Sequence, residues 1–418
     1  MNRIVVVGTG MAGLRAAERL RELAYPGEVV VLGAEETMPY HRPALSKHAL
    51  TAGLNAADLA VEIPDDLDVI WRLGTPVTRL DTARHVLHLP GGEELGYDGL
   101  IIATGVEARR VNGIPSGHPR ITTLRTPADV RRLQRALNGN RLPTLVLGTG
   151  FVGCELAGSL RHTGREVMVV GRSAYVMRQL GRELSRELTD LHRRNGVELH
   201  LGTDVQDVRV GRRSVTVRLA DGTRAEFAAV VVATGSVPGV SWLRDSGVPL
   251  DNGVVCDPSC HVAGLDDVVA AGDVARWPNL HFDREARRVE HWTNAIGMGR
   301  AAAESLLAGR DRARPFTPVP RIWSEQHGVR IQAVGVVHPD DEQIPLHPAV
   351  PAGGTITGFV RDGRLTGVVG LDSSAAVLAY GEELGRQDPT PARRAAPARG
   401  PRRRLSFQDA VRASGPGR

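Results

Sequence analysis

The chain has 418 residues, of which 42% are hydrophobic and 48 are glycine, enough for two or three globular domains. Its formal net charge is +5, but acidic and basic residues are interleaved along most of the sequence, so we expect no nucleic-acid partner. No apolar run approaches the ~20 residues of a membrane span. A strand pattern begins directly after Met1 and leaves no room for a signal peptide. We therefore expect a cytoplasmic protein without membrane contact.

The first predicted elements form a dinucleotide-binding pattern. A buried strand over residues 4–7 is followed by GTGMAG at residues 8–13 and by a helical pattern over residues 14–23. In such a unit the first glycine makes a tight turn, the second lets backbone approach a pyrophosphate, and the third packs the helix on the strand, with the anion at the helix N-terminus. We therefore expect a dinucleotide to be bound at Gly8, Gly10, Ala12 and Gly13.

The next predicted strand, residues 28–32, ends shortly before two acids. An acid roughly 20 residues after the glycine motif holds the ribose diol in sites of this kind. Glu35 is our first choice for this role, and Glu36 is the second.

Lysine occurs once in the chain. Of the 52 lysine and arginine residues, Lys47 is the single lysine and the other 51 are arginines. It ends the segment PYHRPALSK at residues 39–47. An ammonium differs from a guanidinium where a compact donor must reach a buried point without planar bulk. We therefore predict a functional role for Lys47 rather than a chance position on the surface.

The glycine pattern is repeated 140 residues later. GTGFVG at residues 148–153 again lies between a strand and a helix, and both halves close on a similar strand, LIIATG at residues 100–105 and VVVATG at residues 230–235. Two such copies are hard to obtain by chance. We predict an α/β fold with two Rossmann-like domains, the first formed by residues 1–112 and 242–315 and the second by residues 113–241. The second nucleotide site is predicted at Gly148, Gly150, Val152, Gly153 and Gly235.

The cysteines and histidines indicate neither a metal site nor a redox disulfide. The chain has three cysteines, Cys154, Cys256 and Cys260, too few for a disulfide framework or a cysteine-ligated cluster and without a C-x-x-C pair. We interpret all three as packing residues. The 14 histidines show no metal-ligand spacing, so no metal is predicted.

The doubled pattern resembles the flavoproteins with two dinucleotide-binding domains, in which FAD occupies the first site and a nicotinamide cofactor the second. Within that group, residues 39–47 resemble the P-Y-x-R-P-P-L-S-K segment of the FAD-dependent ferredoxin reductases that serve cytochromes P450 and Rieske oxygenases, with Ala44 in place of a proline. Further landmarks of these putidaredoxin-reductase-like and biphenyl-dioxygenase-reductase-like proteins follow in order: TLRT at 123–126, AAGD at 270–273, VEHWTNA at 289–295 and WSEQH at 323–327.

This resemblance implies an FAD-dependent reductase, with NADPH or NADH as electron donor and a small iron–sulfur ferredoxin as partner, acting as a monomer or homodimer. It implies that Lys47, Glu155 and Trp323 form the catalytic group, with Glu155 orienting the lysine near flavin N5 and Trp323 beside the flavin. FAD contacts are expected from Glu35, Arg42, Lys47, Val77, Ala103, Thr104, Gly105, Arg125, Asp273 and Trp292.

The second site departs from the pattern expected for NADH. After its next strand, residues 166–170, a carboxylate would accept the ribose hydroxyls and repel a 2′-phosphate. Gly171 and Arg172 follow instead, so we predict a preference for NADPH with Arg172 as the residue that recognises the phosphate. The alternative is an ordinary exposed arginine.

The rest of the chain is predicted to form a C-terminal α+β interface domain, residues 316–384, with an Asp-Gly hairpin at residues 362–363. Residues 385–418 form a Pro/Ala/Arg-rich tail that is too poor in apolar residues to fold alone. This tail is either simply solvated, or its positive charge attracts an acidic ferredoxin. Two other functions stay open: a flavoenzyme acting directly on a small metabolite, and a flavin-fold binding or signalling protein.

Overall fold

A computed structural model of the chain describes residues 1–54, 57–346 and 354–388. The predicted tail lies outside the described residues from residue 389 onward. Among the described residues, no helix is both long and apolar enough to cross a membrane.

The part of the chain up to residue 108 contains the first nucleotide-binding pattern. Its elements are β1 (Arg3–Val7), α1 (Met11–Glu22), β2 (Glu28–Leu32), α2 (His48–Thr51), β3 (Ile70–Arg72), β4 (Arg79–Asp81), β5 (Val86–His88), β6 (Glu94–Gly96), β7 (Gly99–Ile102) and β8 (Val106–Ala108). Short 3₁₀ helices cover Arg42–Ser46 and Pro90–Gly92.

The next part contains the second pattern. Its elements are β9 (Ile121–Thr122), α3 (Pro127–Leu137), β10 (Thr144–Leu147), α4 (Phe151–His162), β11 (Val167–Gly171), α5 (Arg182–Arg194), β12 (Val197–Leu201), β13 (Val205–Val210), β14 (Val215–Leu219), β15 (Arg224–Phe227), β16 (Ala229–Val232) and β17 (Ser236–Pro238). A 3₁₀ helix covers Arg178–Leu180.

The remaining elements are β18 (Val254–Val255), β19 (Val268–Ala270), β20 (Ala275–Asn279), β21 (Asp283–Arg287), α6 (Trp292–Ala308), β22 (Arg321–Gln326), β23 (Val329–Gly335), β24 (Glu342–Pro345), β25 (Ile356–Arg361), β26 (Arg364–Leu371) and α7 (Ser374–Arg386). Three 3₁₀ helices cover Ser241–Leu243, Gly272–Val274 and Arg310–Arg312.

Two five-stranded parallel sheets repeat one design. The first has the strand order β19-β7-β1-β2-β3, and the second β12-β11-β10-β16-β9. In each sheet the strand that precedes a glycine motif, β1 or β10, lies in the centre. All four residues of β10 are buried, as is typical of parallel sheets covered on both faces. The predicted α/β fold with two Rossmann-like domains is confirmed.

Alternate residues of β10, the central strand of the second sheet, pack in different hydrophobic cores on the two faces of the sheet. Val146 packs in the core that includes Leu156 of α4, whereas Leu145 and Leu147 pack with Phe227 on the other face. Three-stranded antiparallel sheets, β4-β5-β6 and β13-β14-β15, accompany the two parallel sheets and extend the internal repeat. The chain returns to the first sheet through β19, which pairs in parallel with β7. The domain boundaries themselves stay a prediction.

The C-terminal sheet is antiparallel, with the order β22-β23-β26-β25-β24, and α7 packs against it. Asp362 and Gly363 both have positive φ, +52° and +74°, in the turn between β25 and β26, so the predicted Asp-Gly hairpin is confirmed. Ile331 and Phe359 of this sheet share a core with Leu184 and Leu188 of α5. The C-terminal sheet therefore rests against the second nucleotide-binding unit.

Several element boundaries differ from the sequence prediction by one to three residues. Helix α1 begins at Met11 rather than Leu14, because the last residues of the glycine motif already form its first turn. Strand β11 ends at Gly171 rather than Val170, because Gly171 still pairs with Leu201 of β12.

Candidate active site

A cavity of about 870 Å³ lies at the carboxyl ends of the first sheet, where open α/β sheets bind their ligands. The first residues of three helices, α1, α4 and α6, also reach it, so their positive N-terminal ends meet at one space. Of the residues predicted from the sequence, those that line the cavity are Gly8, Gly10, Ala12, Glu35, Arg42, Lys47, Val77, Ala103, Thr104, Gly105, Arg125, Val152, Glu155, Asp273, Trp292 and Trp323.

The three glycines of the first motif have different surroundings. A Cβ on Gly8, where φ is +121°, would lie 2.2 Å from the Ala103 carbonyl oxygen, and a Cβ on Gly13 would lie 1.9 Å from the Gly8 carbonyl oxygen. A Cβ on Gly10 would meet no protein atom within 4 Å. Gly8 thus permits the close approach of the turn to the end of β7, and Gly13 permits the close approach of α1 to that turn. The space beside Gly10 opens into the cavity.

The second motif has the same geometry in another place. The corresponding Cβ distances are 2.1 Å from Gly148 to the Ala233 carbonyl oxygen and 2.2 Å from Gly153 to the Gly148 carbonyl oxygen, and the space beside Gly150 is again open. Of the predicted residues, those that do not line the large cavity are Gly13, Gly148, Gly150, Gly153, Arg172 and Gly235. The structure therefore separates the second glycine motif from the first site, although Val152 and Glu155 of α4 reach the cavity.

Glu35 is held at the entrance to the first site by two neighbours. Tyr40 Oη donates to Glu35 Oε2 at 2.8 Å, and the Arg42 guanidinium donates to Glu35 Oε1 at 2.7 Å. The Arg42 guanidinium also lies 4.7 Å from the centre of the Tyr40 ring. Burial raises the pKa of Tyr40, so its hydroxyl stays protonated and remains a donor to the carboxylate.

Arg125 is positioned by the capping of α3. Thr126 is the N-cap residue, and Asp129 accepts from the backbone N–H groups of Thr126 and Arg125 at 3.1 and 2.9 Å. The Arg125 guanidinium lies 3.7 Å from Asp273, which follows the turn at Gly272. Burial raises the pKa of Asp273, and the nearby Arg125 partly opposes this shift. A cation and a hydrogen-bonding carboxyl group thus share this wall of the cavity.

Trp292 begins α6 and forms another wall. Its ring meets the His41 ring edge to face, with 4.9 Å between centroids. His291, the N-cap residue of this helix, makes no side-chain capping hydrogen bond. Burial lowers the pKa of His291 to about 4, because a charged imidazole is poorly solvated there.

Lys47 and Glu155 form a buried ion pair beside the cavity. Lys47 Nζ lies 2.6 Å from Glu155 Oε2, and the two side chains are 9% and 6% exposed. The ammonium also donates to the Pro43 carbonyl oxygen at 3.2 Å and lies 4.7 Å from the centre of the Trp323 ring. Lys47 therefore contacts both Glu155 and Trp323, although the three residues are far apart in the sequence.

Helix α4 brings these segments together through one face. Gly158 and Ser159 follow Glu155 by three and four residues, so they lie one turn after it on the same face of the helix. Ser159 Oγ donates to the Ser46 carbonyl oxygen at 2.7 Å, which ties the Lys47 segment to the helix. A Cβ on Gly158 would lie 3.2 Å from the His327 backbone nitrogen, so glycine permits the close approach of the turn after β22.

The donor set of the cavity fits FAD. Arg42, Arg125 and the N-terminus of α1 are suited to phosphate groups, and the carboxyl groups of Glu35 and Asp273 are suited to ribose and ribityl hydroxyls. The open space beside Gly10, at the N-terminus of α1, is one that a Cβ would fill and that a pyrophosphate needs. These residues would hold the dinucleotide, and Lys47, Trp292 and Trp323 would face its reactive ring.

Sequence reasoning missed several polar residues of the site. Tyr40 and Ser46 lie inside the segment at residues 39–47, and Ser324 and Gln326 lie inside WSEQH, but none received a role. Ser46 Oγ donates to Glu155 Oε2 at 2.5 Å, and Ser324 Oγ donates to Glu155 Oε1 at 2.6 Å. The period of two in a strand could have indicated that Ser324 and Gln326 share the face opposite Trp323.

All three cysteines are buried free thiols, and none lines the described cavity. Burial raises the pKa of Cys154, which lies next to Glu155 on α4, so its thiol stays protonated. The described part of the chain thus places no cysteine pair at the candidate flavin site.

The chain is similar to known proteins along most of its length. Residues 2–299 match the model of the family described as pyridine nucleotide-disulphide oxidoreductase, and residues 321–405 match the model described as reductase C-terminal. The chain is 31% identical to the ferredoxin–NAD(+) reductase subunit of a benzene 1,2-dioxygenase system from Pseudomonas putida, with 89% of this chain and 90% of that protein covered. It is 35% identical to the ferredoxin reductase subunit of a 5,5′-dehydrodivanillate O-demethylase from a Sphingobium species, with 81% and 83% covered.

A similar fold has been solved in the covalent complex of putidaredoxin reductase with putidaredoxin. The TM-score is 0.84 at 26% sequence identity, and the match covers 92% of this chain and 93% of that one.

Proposed function

The chain belongs to the pyridine nucleotide-disulphide oxidoreductase family, and we propose that it is an FAD-dependent NAD(P)H:ferredoxin reductase serving a P450 or Rieske oxygenase in the cytoplasm. The observation that supports this most strongly is the buried Lys47–Glu155 pair, which lies at the cavity that fits FAD. Members of this family without a cysteine pair at the flavin must pass electrons directly to an outside acceptor. The relatives described above, which are named as ferredoxin reductases, favour a small iron–sulfur ferredoxin as that acceptor.

FAD, when bound, would supply the redox chemistry, namely acceptance of a hydride from a nicotinamide and release of electrons one at a time. Lys47 would supply a fixed positive charge at the cavity that offsets the negative charge gained on reduction, and Glu155 keeps the ammonium in place. The N-terminus of α6 at Trp292, which also lines the cavity, favours negative charge there. The Trp323 ring lies against the ammonium and stabilises its positive charge. Each of these residues acts by position and charge, so none has to remove a proton.

Transfer to ferredoxins tests the proposal directly. The purified protein should be yellow with about one FAD per chain, and under anaerobic conditions NAD(P)H should reduce at least one member of a panel of small [2Fe–2S] ferredoxins only when the enzyme is present. Reduction is followed by the bleaching of the cluster absorbance, and a heat-inactivated enzyme with added free FAD serves as control. If no ferredoxin accepts electrons but a small organic substrate does, the ferredoxin assignment is wrong. A protein that takes up no FAD refutes the whole proposal.

We also propose that the electron donor is NADPH. The two halves of the chain make equivalent contacts at this point: a Cβ on Gly33 would lie 2.4 Å from Thr9 Cγ2, and a Cβ on Gly171 would lie 2.4 Å from Thr149 Cγ2. This equivalence matches Glu35, two residues after Gly33, with Ser173, two residues after Gly171.

The second site therefore lacks the carboxylate that the first site has. Neither Gly171, at the end of β11, nor Ser173 carries a negative charge, and the exposed Arg172 lies between them. A hydroxyl and a guanidinium suit a 2′-phosphate, whereas a carboxylate would repel it. The ratio of kcat/KM for NADPH to kcat/KM for NADH should exceed one, and a ratio below one would refute this preference.

A further inference from the structure

A buried chain of hydrogen bonds leads from Glu155 through β22 to α5. Ser324 Oγ donates to Glu155 Oε1 at 2.6 Å, and Gln326 Nε2 donates to Ser324 Oγ at 3.1 Å. Gln326 Oε1 is 3.0 Å from His192 Nε2, and His192 Nδ1 is 2.9 Å from His327 Nε2. Ser324 and His192 are 0% exposed and Gln326 is 1% exposed. The chain thus links the ion pair at the cavity to a helix of the second nucleotide-binding unit.

The direction of each hydrogen bond follows from the chemistry of its members. An amide oxygen only accepts, so His192 Nε2 carries the proton and donates to Gln326 Oε1. Burial lowers the pKa of His192, so its ring is neutral and Nδ1 is an acceptor for His327 Nε2. Gln326 can therefore present only its amide nitrogen to Ser324, and the Ser324 hydroxyl is left with its proton directed at Glu155. Each hydrogen bond that links these four side chains is therefore donated in the direction of the carboxylate, and the Gln326 amide nitrogen also donates to Met177 Sδ at 3.8 Å.

The direction of these hydrogen bonds determines which oxygen of Glu155 contacts Lys47. With Oε1 occupied by Ser324, the carboxylate presents Oε2 to the ammonium and to Ser46. The Ser324 hydroxyl is held by two hydrogen bonds, because its oxygen accepts from Gln326 while its proton is donated to Glu155. Buried polar networks in which every member is satisfied hold their members rigidly.

We propose that Gln326 is a positioning residue for the Lys47–Glu155 pair, acting through Ser324 and itself oriented by His192 and His327. The inference rests on the proposed function in one respect, that the cavity holds FAD. Without Gln326, Ser324 no longer donates steadily to Glu155, and the wall of the cavity becomes more negative. A more negative wall disfavours the reduced flavin, which carries the added electrons. Loss of Gln326 should therefore lower the midpoint potential of the bound flavin.

The test compares Gln326→Met, Ser324→Ala and the double variant. Methionine keeps the length of the side chain but neither donates to Ser324 nor accepts from His192 as an amide does. We expect FAD content to be retained and the equilibrium constant for flavin reduction to fall about tenfold in each single variant, a shift of about −30 mV for a two-electron couple. Because Gln326 acts through Ser324, the double variant should shift the potential no further than Ser324→Ala. The exposed Glu325→Gln on the same strand is the matched control and should leave the potential unchanged.

The potential is measured with dithionite and a reference dye, without NAD(P)H or ferredoxin. An unchanged potential in a flavin-loaded Gln326→Met protein overturns the inference, and so does a double variant whose shift equals the sum of the two single shifts. If Gln326→Met does not fold, His192→Phe/Gln326→Leu replaces both partners by apolar groups, which is better tolerated than an unpaired imidazole, and the same potential shift is expected. Wild-type protein that binds FAD but reduces no ferredoxin overturns the proposed function alone.

Discussion

Replacing Gly10 by alanine should separate cofactor binding from folding. Gly10 is the N-cap residue of α1 with φ −73° and ψ −177°, a backbone conformation that alanine adopts without strain. The added methyl group meets no protein atom within 4 Å, so it projects into the space where we expect the pyrophosphate of FAD. The apoprotein should therefore fold normally, with a free energy of unfolding within about 1 kcal/mol of the wild type.

The size of the effect follows from the steric contact. Forcing one extra methyl group into a packed contact costs about 1–3 kcal/mol, and this corresponds to FAD binding weaker by a factor of about 5 to 150. Two matched variants show whether the effect is specific to the FAD site. Gly13→Ala would put a Cβ 1.9 Å from the Gly8 carbonyl oxygen, so the fold itself should fail. Gly150→Ala, where the space is also open, should retain FAD but bind the nicotinamide cofactor more weakly.

Titration of each apoprotein with FAD, followed by quenching of flavin fluorescence, gives the dissociation constants, and circular dichroism reports the fold. Gly10→Ala protein that binds FAD as tightly as the wild type would refute the placement of the pyrophosphate. A normally folded Gly13→Ala protein would refute the packing argument.

Three further predictions concern charge. Lys47→Arg keeps the charge but must fit a bulkier head group between Glu155 and the Trp323 ring. FAD should be retained, while reduction of the flavin by NAD(P)H, measured by stopped flow, should slow at least about tenfold, or roughly 1.4 kcal/mol of barrier. An unchanged rate would make Lys47 an ordinary cation. Arg172→Ala should lower kcat/KM for NADPH more than for NADH, because it removes a cation from the 2′-phosphate; equal losses would show that Arg172 does not recognise the phosphate. The pKa of His291 is about 4 in the folded protein and about 6.5 in the unfolded chain, so between these pH values the unfolded chain binds one more proton. The free energy of unfolding should therefore fall by on the order of 2 kcal/mol as the pH drops from about 6.5 to 4. His291→Asn, which also supplies a capping side chain, should flatten this pH dependence in denaturant titrations, and an unaltered slope would contradict it.

The sequence alone determined the fold class and the family resemblance. The spacing of the two glycine motifs reports local backbone geometry, since each motif joins the end of a strand to the start of a helix, and such geometry depends on a few neighbouring residues. The single lysine was informative for a similar reason: its side-chain chemistry differs from that of arginine wherever it lies. Element boundaries were less accurate, as the start of α1 shows, because the glycine motif itself contributes the first helical turn.

Only the tertiary structure decided how the site is assembled. It showed that Tyr40 and Arg42 hold Glu35 and that Gly10 faces open space while Gly13 is packed against backbone. It also showed that Glu155 is held by Ser324, 169 residues away in the chain. The family resemblance marked the WSEQH segment but assigned a role to its tryptophan alone. Its serine and glutamine acquire theirs from the close packing of α4 against β22, a contact between distant segments that local sequence patterns do not encode.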